Sequence, residues 1–148
     1  MLLSINRSSP FDPEVLLSQS GFKVEEEDVA SLKLGEIDTE KIHLVYTHQS
    51  KPLFQHERIS VLRERNLVMI DGKILESIVQ AKAFAESWKH VGADGNPVPI
   101  HFDGTVLRST WDGRRFGMYA LYNPVQKIWE TPYLGPWAGF GLSAVLEA

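Results

Sequence analysis

The sequence predicts an α+β fold: an antiparallel sheet, built mainly as a C-terminal meander, packed against one long helix over residues 72–90, with shorter helices and strands before it. Two Asp-Gly pairs, Asp103-Gly104 and Asp112-Gly113, punctuate runs rich in β-branched and aromatic residues, and such pairs tolerate the positive φ that tight hairpin turns demand. Ile74, Ile78, Ala81, Phe84, Ala85, Trp88 and Val91 recur at helical spacing behind Asp71, a residue suited to capping a helix. At 148 residues, 43% of them apolar and 23% charged, the chain has the size and composition of one globular domain spanning 1–148.

Asp12 and Pro13 suit the cap and first position of a short helix with Val15, Leu16 and Leu17 on its apolar face, and Gly21 offers a left-handed stop. The acidic run 25–28 is expected in a solvated connection or on an exposed strand face. Alternation over 31–34 suggests a strand, and 41–46 suggests another from its β-branched and aromatic content. Over 55–65, Ile59 and Leu62 form the inner face of a short helix with Arg58, Arg63 and Arg65 towards water, ended by Asn66. The run 67–70 is too brief to classify by period. Beyond the long helix, the turn residues of 94–97 lead into the meander, where 115–122 is apolar on both sides and so reads as a central strand. The Gly/Pro-rich stretch 132–141 is expected to wrap the core without regular structure before 143–146 docks.

The absence of cysteine excludes disulfides and thiolate chemistry and fits a reducing compartment, so the cytoplasm is expected. No apolar run approaches the roughly 18 residues of a membrane helix, and the first residues lack the pattern of a secretory signal. The net charge of −4 is uneven: residues 1–40 hold nine acidic and three basic side chains, which argues against that part touching nucleic acid.

The common phosphate-binding and catalytic motifs are absent, including the Gly-rich dinucleotide loop, the Walker loop, the nucleophile elbow and the paired-histidine zinc motif. No catalytic residue, cofactor or metal site is assigned, since the five histidines show no helical metal spacing. The candidate binding residues are Arg108, Trp111, Arg114 and Arg115 around the second turn, His101 before the first, and Trp137 in the Gly/Pro-rich stretch. Adjacent guanidinium groups beside an aromatic ring suit a carboxylate, a phosphate or an acidic protein surface, because the guanidinium is a rigid fork of donors that also stacks on rings. The same residues also have a plain structural reading, as turn formers and surface ion pairs, and it is the stronger of the two.

The pieces 4–8 with Phe11-Asp12-Pro13, Glu86-Ser87-Trp88-Lys89, Phe102-Asp103-Gly104-Thr105-Val106-Leu107-Arg108 and Ser143-Ala144-Val145-Leu146 resemble a group of short, functionally uncharacterised bacterial proteins. The resemblance implies a bacterial protein and brings no activity, cofactor or site residue with it. The function expected is a non-enzymatic protein-interaction module using Trp111, Arg114 and Arg115, with another protein as partner, no membrane and no nucleic acid. Two alternatives stand beside it: a small hydrolase or transferase using His101 with Asp103 and Arg108, and a sugar- or peptide-binding groove lined by exposed tryptophans.

Overall fold

The N-terminal third of the chain alternates short strands with single helical turns: β1 (Leu2–Ser4), α1 (Pro13–Leu17), β2 (Phe22–Glu27), α2 (Val29–Leu32), β3 (Glu36–Asp38) and β4 (His43–Val45). The structure is a computed structural model and describes residues 1–47, 51–89, 94–130, 132–135 and 141–148. Asp12 caps α1 by accepting from the Glu14 N–H at 3.0 Å, with Pro13 at the first helical position. The left-handed residue that ends α1 is Ser18, ahead of Gly21. Three of the four acids of the run are strand: Glu25, Glu26 and Glu27 form the second half of β2, and Asp28 precedes α2. The alternation over 31–34 gives no strand, because Ser31 lies in α2 and turns its hydroxyl inward onto the buried carboxylate of Asp71.

The middle of the chain supplies α3 (Gln55–Glu64), β5 (Leu67–Met69) and α4 (Gly72–Gln80). Left-handed Asn66 follows α3, and the Asp71 carboxylate accepts from the N–H groups of Lys73 and Ile74 to cap α4. Six strands follow among the described residues: β6 (Ile100–Ser109), β7 (Arg115–Ala120), β8 (Tyr122–Asn123), β9 (Ile128–Trp129), β10 (Tyr133–Gly135) and β11 (Leu142–Glu147).

Seven strands make one mixed sheet in the order β10-β7-β6-β11-β4, with β2 alongside β6 and β5 alongside β11. All pairings are antiparallel except β6 with β11, which is parallel. β1 pairs with β3, and β8 with β9, as separate two-stranded ribbons. Neighbouring residues of a strand face opposite sides, and this splits the core. Val106 and Val145 pack with Ile59 and Leu62 of α3, whereas Leu107 and Ala144 pack with Ile74, Leu75 and Ile78 of α4. The sheet is therefore covered on both faces, by different helices, and nearly all of β6 is buried.

This corrects the expected architecture. A C-terminal meander on one long helix is replaced by a mixed seven-stranded sheet between helices. The helix expected over 72–90 ends at Gln80: Lys82 takes a left-handed φ of 52°, and the Ala83 N–H donates back to the Ile78 carbonyl, closing the end. Trp88 is still core, 3% exposed, but it arrives there on a 3₁₀ turn at Glu86–Trp88; His90 and Val91 lie outside the described residues.

Asp103-Gly104 is no hairpin corner; both residues lie within the ten-residue β6. Gly104 is required by proximity: a Cβ there would stand 2.4 Å from the Ile70 carbonyl carbon and 2.6 Å from the Asp71 nitrogen. Asp112-Gly113 does turn the chain between β6 and β7, with Gly113 at a φ of 72°. β7 is central, lying between β6 and β10, and β10 gives the Gly/Pro-rich stretch a strand where none was expected.

Candidate functional site

The β6–β7 turn forms a braced tip. The Ser109 N–H donates to the Arg114 carbonyl at 2.8 Å, the Gly113 N–H to the Ser109 carbonyl at 3.0 Å, and the Arg114 N–H to the Asp112 carboxylate at 3.0 Å. The N–H and hydroxyl of Thr110 both donate to the Gly21 carbonyl, at 2.7 and 3.0 Å, which ties the tip to the start of β2. Trp111 crosses over Gly21 so closely that a Cβ on Gly21 would lie 2.4 Å from the indole nitrogen. Even so, Trp111 is 85% exposed.

Three arginines surround the tip and differ in what they hold. Arg108 donates through Nε and Nη2 to the Glu25 carboxylate and through Nη1 to the Gly113 carbonyl, and Arg115 Nε lies 2.8 Å from the other Glu25 oxygen. Glu25 is the extra residue of a bulge in the β2–β6 pairing, and that bulge presents its carboxylate to both strands of the hairpin. The hydrogen bond from Arg108, joined by the charges of Arg108 and Arg115, outweighs desolvation and holds the Glu25 carboxyl below its ordinary value. Arg114 is mostly exposed, and among the described residues its guanidinium pairs only with Asp112 of its own turn, at 3.5 Å. Arg114 is thus the tip's least neutralised guanidinium.

The other expected site residues are elsewhere. His101 is 8% exposed at the far end of β6, its ring 6.1 Å from that of Tyr119. Trp137 lies outside the described residues. The constellation of His101, Asp103 and Arg108 does not assemble, because Arg108 is engaged at the tip by Glu25 and the Asp103 carboxylate is taken by Arg58.

That last pair was not expected. Arg58, expected on the solvent face of its helix, is instead buried and donates through Nε and Nη2 to Asp103, both at 2.9 Å, and through Nη1 to the Leu53 carbonyl. Ser143 Oγ adds a longer bond to Asp103 at 3.4 Å. The signal was present in the helical period, since Arg58 precedes Leu62 by four residues and shares its stripe. A second tie joins the N-terminal segment to α4. Arg7 donates through Nη1 and Nη2 to Asp71 at 3.1 and 3.0 Å and also to the carbonyls of Ser31 and Leu34. Close by, burial and the negative charge of Asp71 push the Glu27 carboxyl up, against the hydrogen bond it accepts from Thr105. These networks are satisfied internally, which is the signature of structural cross-ties.

Among the described residues, no group of three His, Asp or Glu side chains is placed to hold a metal, and no helix is long and apolar enough to cross a membrane. The chain matches no protein-family model, no curated protein and no solved structure.

Proposed function

We propose that the protein is a non-enzymatic interaction module of the bacterial cytoplasm that docks another protein through the tip formed by Trp111, Arg114 and Arg115. The observation that carries this reading is the 85% exposure of Trp111 on a tip whose main chain is hydrogen-bonded to Gly21. Tryptophan and arginine dominate the energetics of protein interfaces, and an anchor held in place before binding loses little freedom when it docks. Lys23, Arg108, Arg114 and Arg115 against Glu25 and Asp112 leave the tip net positive, which favours a partner surface with an apolar pocket rimmed by carboxylates. The competing hydrolase reading loses its support once His101, Asp103 and Arg108 are engaged separately.

The test is affinity capture from the native host with the wild-type chain and with Trp111→Ala and Arg114→Glu variants of equal melting temperature. A partner retained by the wild type should be lost from both variants. Equal retention by all three refutes the proposal.

A further inference from the structure

A cleft lies where the end of α4 meets the β8–β9 ribbon. There Phe84, Tyr122 and Trp129 wall a cleft of about 500 Å³, and Lys82, Lys89 and Lys127 stand around it. The volume is that of a small-molecule site. The walls are rigid aromatic surface: Phe84 and Trp129 stack at 4.4 Å between ring centroids, and Tyr122 leans on Trp129 at 5.5 Å.

The positive charge there is uneven in its use. Lys89 is paired with Glu86 at 2.7 Å and sits 4.8 Å from the centre of the Tyr122 ring. Glu130, the one carboxylate of the lining, accepts from the Tyr133 hydroxyl at 2.6 Å and the Asn123 amide at 3.3 Å. Among the described residues, Lys82 and Lys127 have no ion pair.

These two lysines also occupy backbone positions that ordinarily favour glycine. Lys82 has a φ of 52° at the end of α4, and Lys127 a φ of 57° in the β8–β9 turn. Left-handed backbone disfavours a lysine relative to glycine, and both of these positions lie on the lining of the one cleft.

We propose that this cleft binds a small aromatic phosphate, an aryl or nucleoside monophosphate, with its ring against the Tyr122–Trp129 wall and its phosphate between Lys82 and Lys127. Aromatic surface supplies a sequence-tolerant platform for a planar ring, and ammonium groups act as point charges for the phosphate. The cleft offers both surfaces side by side, so the ligand it suits carries ring and charge on one molecule.

Calorimetric titration of the full chain with adenosine monophosphate, phenyl phosphate, adenosine and inorganic phosphate tests this. Saturable binding is expected for one or both of the aromatic phosphates, and which one binds identifies the source of the ring. Adenosine and inorganic phosphate should each bind at least about tenfold more weakly. The Lys82→Gly, Lys127→Gly double variant should lose at least about tenfold in affinity while its melting temperature holds or rises, since glycine relaxes both positions. Lys51→Ala, an exposed lysine outside both the cleft and the tip, should bind as wild type does. No saturable binding of either aromatic phosphate, phosphate binding as tightly as the aromatic phosphates, or undiminished affinity in the glycine variant overturns the proposal.

Discussion

Replacing Asp103 by leucine strands the Arg58 guanidinium in a place that water does not reach. Both side chains are at most 4% exposed and are joined by two bonds of 2.9 Å, so the perturbation removes the partner of a buried charge without opening a large cavity. Breaking such a pair from one side costs about 3–5 kcal/mol. At about 3 °C of melting temperature per kcal/mol for a chain of this size, Asp103→Leu should melt roughly 9–15 °C below wild type. Removing both charges is a different perturbation, because no orphan ion remains. Arg58→Met with Asp103→Leu should recover most of the loss and come within about 2 kcal/mol of wild type, the shortfall reflecting the partners lost by the Leu53 carbonyl and Ser143. Thermal and urea melts of the four proteins form a double-mutant cycle, and the expected coupling is about 2 kcal/mol or more. A leucine variant melting within about 3 °C of wild type, or a double variant no more stable than the single, would show that the two charges do not depend on each other in a buried pair.

Three further outcomes are expected. Gly104→Ala forces a methyl into the Ile70–Asp71 backbone, which stands 2.4–2.6 Å from the new Cβ, and should destabilise by about 3 kcal/mol in urea melts. Glu27→Gln should raise the melting temperature at neutral pH. The raised carboxyl of Glu27 makes ionisation above the ordinary value of 4.5 a cost to the fold, so the gain should vanish as the pH falls below that value. Glu25→Gln should do the reverse. The lowered carboxyl of Glu25 stabilises the fold fully above 4.5 and loses that effect as the pH drops through its folded value, so wild type should lead the variant near neutrality and converge with it in acid, as read from melting temperature against pH.

The two Asp-Gly pairs show where sequence reasoning ends. At 112–113 the local preference decides, because the turn is exposed and nothing competes with it. At 103–104 the same dipeptide is overridden by tertiary contacts: the aspartate answers a buried arginine forty-five residues earlier, and the glycine admits another stretch of backbone. Caps were legible for a similar reason, since Asp12 and Asp71 act on N–H groups two or three residues away. The length of α4 was not. Phe84 and Trp88 keep an apolar rhythm beyond the helix because the chain continues along the same core after Lys82 has broken the ladder.

Within the candidate site, the exposure of Trp111 and Arg114 was legible from the turn that carries them. Glu25 was hidden inside a run of four acids, and only the bulge in β2 singles it out as the clamp on Arg108 and Arg115. The cleft of Lys82 and Lys127 left no motif, since its two sides meet only when the end of α4 reaches the β8–β9 ribbon.

The proposed docking role requires that the tip present Trp111 to another protein. A photo-crosslinking amino acid placed at position 111 in the native host, with a second placed at the equally exposed Val125 of the β8–β9 turn, tests it most directly. A discrete protein adduct is expected from position 111 and none from position 125; no adduct from 111, or the same adducts from both positions, would contradict the claim.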